Sequence, residues 1–328
     1  MMKKSRIIYI DYLKTFGLLL VILAHVNCPP WLMQLRNFDV PMLVFISGYL
    51  ANKSYRIGSY KEYYKKRFLR LVIPTWIFLI FFYIIQALTY NIPAWNDILR
   101  GFLFQKDANM VGMVWVIWVY LVCSFLIPIY KKIGYDKRHI LIWIIFLVIN
   151  EFICKYTNIS ENKYMYMSFM TIIPWGGITY LGFYYDKIDI KTKKSILFCS
   201  GITFVLYGLF LYLENNFFVN TNLFKYPARI YYLSYSIFCL IIIWKLIKKI
   251  NIKECKIIEF ISKSTLWIYL WHILLLYIVK KIITNDNLWV IQYILIIILS
   301  VAITYIQNII INKLIDKYEY RWLKIFLG

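Results

Sequence analysis

Apolar runs of membrane-crossing length alternate with short, basic polar segments along the whole chain. Recurring runs of about 18 or more apolar residues mark a polytopic α-helical membrane protein. About ten spans are predicted, at residues 7–27, 38–52, 69–90, 110–130, 139–154, 168–185, 195–213, 229–247, 264–283 and 288–311. The second and fifth are the shortest. At ~15 residues they suit a thin or protein-lined part of the bilayer. No stretch long enough for a soluble domain is left, so the expectation is an all-α fold with one integral-membrane domain over residues 1–328.

Composition agrees: 62% of residues are hydrophobic and 16% charged, with a mean hydropathy of +0.63. Charge adds the orientation. The formal net charge is +22, from 38 Lys and Arg against 16 Asp and Glu. The cations are spread over many short loops, which excludes a nucleic-acid-binding patch. On the predicted spans, 28 of the 38 fall in the two tails, in every second loop and at the span ends bordering them, and nine fall in the loops between and at the span ends bordering those. Lys and Arg collect on the cytoplasmic side, so both termini are expected there. The basic start followed by an apolar run resembles a signal peptide. That run is too long, and no small-x-small cleavage site follows, so it is expected to be a retained first span. The six Cys show no CxxC or metal-ligand spacing. They are expected to be small apolar helix residues, a Cys28–Cys154 disulfide being the minor alternative. No metal is expected, and nothing resembles a P-loop or a dinucleotide fingerprint.

The first span carries an acid, a base and an imidazole: Asp11, Lys14 and His25. Ionisable groups within a membrane are costly and by default suggest function. Eleven residues at ~100° each bring Lys14 and His25 to one helix face, ~16 Å apart along the axis. Asp11 lies one turn from Lys14. The bland alternatives are a salt bridge anchoring the cytoplasmic end and a histidine bonded between helices. The second span contains Phe45-Ile-Ser47-Gly48-Tyr49, whose small pair admits a close neighbour. Arg67-Phe-Leu-Arg70 opens the third span, with Pro74 one turn on. Guanidinium forks match phosphate geometry, though positive-inside anchoring would also explain cations there. His139 reads as a solvated loop residue, Glu151 as a second polar partner, and His272 as a mid-span histidine of the ninth run.

Taken together these residues resemble membrane-bound acyltransferase family 3. The first-span pattern is Asp11, Lys14 and His25. The Ser-Gly stretch is Val44-Phe-Ile-Ser47-Gly48-Tyr49-Leu50. The arginine motif is Arg67-Phe-Leu-Arg70-Leu-Val-Ile-Pro74. A Trp-rich fourth span runs from Trp115-Val-Ile-Trp118 to Pro128. The late motif is Ser264-Thr-Leu-Trp-Ile-Tyr269-Leu-Trp-His272. Lys14 stands where many members have Arg, as in the branch resembling sugar O-acetylases. The extracellular hydrolase-like domain that many relatives carry is not expected in this sequence.

The resemblance implies transfer of an acyl group, acetyl above all, from cytoplasmic acetyl-CoA to a hydroxyl of a cell-surface or lipid-linked glycan. It implies His25, Asp11 and Lys14 as the catalytic set, and Arg67 and Arg70 on the phosphates of coenzyme A. Ser47, Trp115 and His272 are the candidates for substrate contact. A neutral imidazole can take the proton of an attacking hydroxyl or carry the acyl group itself, and both roles stay open for His25. The expected setting is a bacterial plasma membrane, with lipid and a glycan acceptor as partners. A glycan transporter or exporter is the rival reading, because polar stripes also line permeation paths. No internal repeat favours it.

Overall fold

A computed structural model of the chain describes residues 6–55, 60–89, 92–157 and 167–327. Lys3, Lys4, Arg56 and Lys163, counted in the charge alternation, lie outside the described residues. Among the described residues there are helices and turns, with one isolated Lys225–Ala228 bridge and no longer strand. The helices are α1 (Ile8–Leu23), α2 (Pro30–Arg36), α3 (Asp39–Ser54), α4 (Tyr60–Thr89), α5 (Trp95–Phe102), α6 (Trp115–Ile133) and α7 (Lys137–Tyr156). They continue as α8 (Phe169–Tyr184), α9 (Ile190–Asn215), α10 (Ile230–Lys249), α11 (Lys256–Lys263), α12 (Thr265–Ile282) and α13 (Trp289–Tyr318).

Each predicted span coincides with one helix, but the helices are not equivalent. Seven are long and apolar enough to cross a membrane: α4, α6 with the turn before it, α7, α9, α10, α12, and α13 with the turn before it. The other three, α1, α3 and α8, have 16 residues each. At 1.5 Å per residue they reach ~24 Å, less than the ~30 Å hydrocarbon core. Two boundaries differ from the prediction for physical reasons. Helix α4 starts nine residues early, because the Lys, Glu and Tyr of residues 60–68 form helix readily outside an apolar stretch. Helix α1 stops at Leu23 rather than at residue 27. The Pro29-Pro30 pair follows, and proline drives the residue before it into extended backbone.

The chain packs as two compact units, each made of several segments. The first comprises Met1–Cys28, Lys61–Leu121 and Lys253–Gly328. Here α1 lies against α11, α12 and α13, and α12 lies along α13. Phe78 and Phe81 of α4 meet the Trp271 ring edge-to-face, the arrangement aromatic quadrupoles favour. The Trp271 indole donates to Gln307 Oε1 at 2.7 Å. Buried Ser300 and Thr304 of α13 return their hydroxyls to carbonyls within their own helix, so neither hydroxyl is stranded.

The second unit comprises Pro29–Tyr60 and Val122–Ile252. Its core is the α3–α8 pair. A Cβ on Gly48 would collide with the Thr179 carbonyl, and one on Gly182 with the Phe45 carbonyl. Each helix thus offers a glycine to the other's backbone, the close approach expected of small residues in membrane helices. Asn52 Nδ2 closes the pair by donating to the Phe183 carbonyl at 2.6 Å. Overfilling a packed contact costs roughly 1–3 kcal/mol, and a backbone collision costs more than a side-chain one. Gly48→Leu is therefore expected to remove folded protein from a detergent extract. A monodisperse size-exclusion peak of wild-type height would refute this.

Candidate active site

The first unit holds seven of the eight predicted site residues, gathered at two levels along α1. At the N-terminal level, Asp11 and Lys14 both engage α11. Ser262 Oγ donates to Asp11 Oδ1 at 2.5 Å, and the Lys14 ammonium donates to the Ser262 carbonyl. Arg6 Nε donates to Asp11 Oδ2 at 2.6 Å, and the same guanidinium pairs with Glu259 at 2.6 Å. Lys263 and Arg6 together hold the Glu259 carboxyl below the usual carboxylate range. Asp11 and Lys14 thus clasp a backbone site 248 residues away in sequence from Lys14. This is more specific than the simple salt bridge that their spacing allowed.

Lys14 also faces α4. Its charge and that of Arg70 repel one another, as do those of Arg70 and Arg67. Arg67 rests on Tyr63, its Nε donating to the hydroxyl at 3.2 Å and its guanidinium 5.3 Å from the ring centre. Arg70 is exposed and has no hydrogen-bond or ion-pair partner among the described residues. Pro74 has no N–H to offer the Arg70 carbonyl, so that oxygen lacks its usual helical partner. Three cations from two helices converge here, and like charges held together favour an anion between them.

The C-terminal level lies about 16 Å further along α1. His25 sits in the turn that closes the helix, its N–H bonded to the Ile22 carbonyl at 3.1 Å. His272 comes to meet it from α12, with ring centres 5.5 Å apart and planes tilted by 32°. His272 is fully buried, and its Nδ1 bonds to the Tyr269 carbonyl. A carbonyl can only accept, so the proton is on Nδ1 and Nε2 carries the lone pair. That Nε2 has no hydrogen-bond partner among the described residues. A buried acceptor without a partner costs on the order of 1–3 kcal/mol, and such groups concentrate where a ligand supplies the missing bond. Tyr269 packs its ring on His272, with centres 4.9 Å apart. Its hydroxyl donates to the Met113 carbonyl at 2.5 Å. Half-buried Trp115 starts α6 two residues beyond Met113.

Ser47 is the exception, since it lies on α3 in the second unit. That unit has polar pairs of its own. Glu151 accepts from Arg229 Nε and from the Tyr207 hydroxyl, each at 2.8 Å, so its valences are taken by neighbours. Buried Asp39 pairs with Arg36 at 2.5 Å and Lys225 at 3.8 Å. His139 is not a solvated loop residue as expected: its Nδ1 lies 3.0 Å from the Tyr180 hydroxyl. All six cysteines are free thiols.

Sequence reasoning missed Ser262 and Tyr269 as partners. Tyr269 was visible within the late motif, three residues before His272, at the spacing at which a helical side chain reaches back to a carbonyl. Ser262 carried no such signal, because only the fold brings it to Asp11. A family model described as an acyltransferase domain matches residues 7–308 of the 328. No curated protein and no solved structure matches the chain.

Proposed function

The chain belongs to acyltransferase family 3, and from that premise we propose a multi-pass O-acyltransferase that moves an acetyl group from cytoplasmic acetyl-CoA to a glycan hydroxyl. The observation that carries the reading is the His25–His272 pair with its unpartnered, buried Nε2. The acceptor hydroxyl would give its proton to an imidazole nitrogen of this pair as its oxygen bonds to the thioester carbonyl carbon. The carbon–sulfur bond breaks, and coenzyme A leaves as thiolate and collects that proton. If His25 instead carries the acyl group, its ring nitrogen bonds to the thioester carbonyl carbon as the carbon–sulfur bond breaks, and the acceptor oxygen then bonds to that carbon as the nitrogen–carbon bond breaks, its proton passing to the freed imidazole and on to the thiolate.

The donor reading rests on Lys14, Arg67 and Arg70 at the opposite end of α1. The loop charges favour a cytoplasmic placement for that end in a bacterial plasma membrane, with both chain termini on the same side. Phosphates held there would leave the acyl arm to run along α1 toward the histidines, while the acceptor glycan approaches from the outer face. The test is release of coenzyme A from acetyl-CoA by the purified protein, with radiolabelled acetyl appearing in the cell-envelope glycan. Purified, folded protein that neither binds nor turns over acetyl-CoA would overturn the proposal.

Lys14 has two tasks here, clasping the Ser262 carbonyl and adding charge beside Arg70. Lys14→Met keeps the aliphatic stem and loses both. Hydrogen bonds from charged groups contribute about 1.5–3 kcal/mol, so a rise of about tenfold or more in the acetyl-CoA Kd is expected by titration calorimetry. An unchanged Kd would confine Lys14 to packing α1 on α11.

A further inference from the structure

Beyond α4 and α5 the first unit contains a pocket of about 200 Å³ to which neither the histidine pair nor the cationic cluster contributes. Tyr83 and Gln86 of α4, Ile92, Asp97 of α5, Asn109 and Met110 all line it. Gln86 is the telling residue. It is more than nine-tenths buried, and its side-chain amide has no hydrogen-bond partner among the described residues. Its carboxamide borders the pocket and brings both a donor and an acceptor to it. Asp97 adds acceptors, tempered by Arg100 at 3.9 Å. Asn109 adds a second amide at the exposed rim. Tyr83 is already committed, its hydroxyl donating to the Asp97 carbonyl at 3.1 Å, so it offers the pocket its ring. Ile92 and Met110 supply apolar faces.

We infer that this pocket is the acceptor subsite and that it holds one neutral sugar unit; the inference rests on the acyltransferase reading. Two amides and a carboxylate set against an aromatic ring and aliphatic groups suit vicinal hydroxyls on one side and the C–H face of a pyranose on the other. A space of about 200 Å³ equals some six or seven waters at ~30 Å³ each, room for one sugar ring. The Asp97 carboxylate disfavours a uronate or a phosphate, because like charges repel. The pocket is also coupled to the histidines. Its wall residues Asn109 and Met110 lead directly to Met113, whose carbonyl binds Tyr269. On the other side Phe82 of α4 packs against Tyr277, 5.9 Å between ring centres, one turn beyond His272 on α12. Lys281 Nζ reaches the Thr89 carbonyl at 3.1 Å, so the same ends of α4 and α12 lie together.

Saturation-transfer NMR on the full chain in nanodiscs tests this with methyl β-D-glucoside, methyl β-D-galactoside, methyl N-acetyl-β-D-glucosaminide and methyl β-D-glucuronide. At least one neutral glycoside should bind and the glucuronide should not. Gln86→Leu, close in size, should weaken the neutral ligand at least tenfold, and Asn109→Ala at the rim by a smaller factor. Comparable signals from wild type and both variants would overturn the inference, as would binding of the glucuronide alone or of no glycoside at all. Size-exclusion profiles report whether Gln86→Leu folds, and rim-exposed Asn109→Ala supplies the comparison if it does not. Acetyl-CoA turnover is scored separately. Glycoside binding that depends on Gln86 without any turnover would sink the acyltransferase reading and leave the sugar pocket standing.

Discussion

His25→Ala is expected to lower acetyl transfer by about 10²- to 10⁴-fold, the range spanned by general acid–base catalysis, while acetyl-CoA binding stays within about twofold. The split follows from geometry. His25 closes α1 about 16 Å from the cations proposed to hold the nucleotide, so truncating it leaves those contacts untouched. Single-turnover assays with labelled acetyl-CoA, set beside calorimetric Kd values, measure both quantities. Unchanged transfer would remove His25 from the chemistry. The companion variant His272→Ala tells whether the two rings act as one unit. Groups acting together are strongly non-additive, so the double variant should be scarcely worse than the poorer single one. Multiplying losses would mean that His272 works independently. Rapid mixing of wild type with acetyl-CoA in the absence of acceptor distinguishes the two roles of His25: a burst of coenzyme A equal to the enzyme marks a carrier, and no burst together with a full rate of transfer once acceptor is added marks a base.

The positions of the long helices were legible because apolar runs and basic loops are properties of the chain itself, needing no partner to be recognised. Lys14 and Arg70 were each expected toward the cytoplasmic end of their spans, but nothing in the sequence predicted that their charges would lie close enough to repel. What the chain could not disclose was lateral pairing. Asp11 and Lys14 lie one helical turn apart, which suggested that they bond to one another, whereas both bond to Ser262 and Asp11 pairs with Arg6 besides. His25 was assigned to a continuous helix face. The helix ends two residues earlier, at Leu23, so His25 owes its orientation to the closing turn and to His272. Gln86 drew no notice because a lone carboxamide in an apolar span reads as interhelical glue. Its lack of a hydrogen-bond partner among the described residues is a fact about the space around it, not about its neighbours in sequence.

The unequal helix lengths bear on how a group could pass between the two levels of the site. Helix α1 spans ~24 Å if regular, less than the hydrocarbon core, and polar residues mark both of its ends. A short helix with polar termini shortens the path between two aqueous faces, since the bilayer must thin or the protein must line the gap. Under the proposed function this serves a flexible thioester arm better than a long apolar helix would, because the reacting carbonyl need not enter bulk hydrocarbon.

Replacing Arg67 and Arg70 together by alanine should raise the acetyl-CoA Kd by about 10²- to 10³-fold. Each charge-assisted contact to a phosphate is worth about 1.5–3 kcal/mol, and tenfold in Kd is 1.4 kcal/mol. Part of that energy is offset in the double variant, since Lys14 is relieved of its repulsion from Arg70. This places the outcome below the simple sum. The two arginines should also differ. Arg67 is already occupied by Tyr63, whereas Arg70 has no hydrogen-bond or ion-pair partner among the described residues, so Arg70→Ala should carry the larger share. Salt gives an independent check: wild-type affinity should fall as ionic strength rises, because exposed charges are screened over a Debye length of ~10 Å at 0.1 M, and the double variant should lose most of that slope. If these cations only anchored the loop to anionic lipid, the double variant would bind acetyl-CoA like wild type and differ solely in its membrane retention.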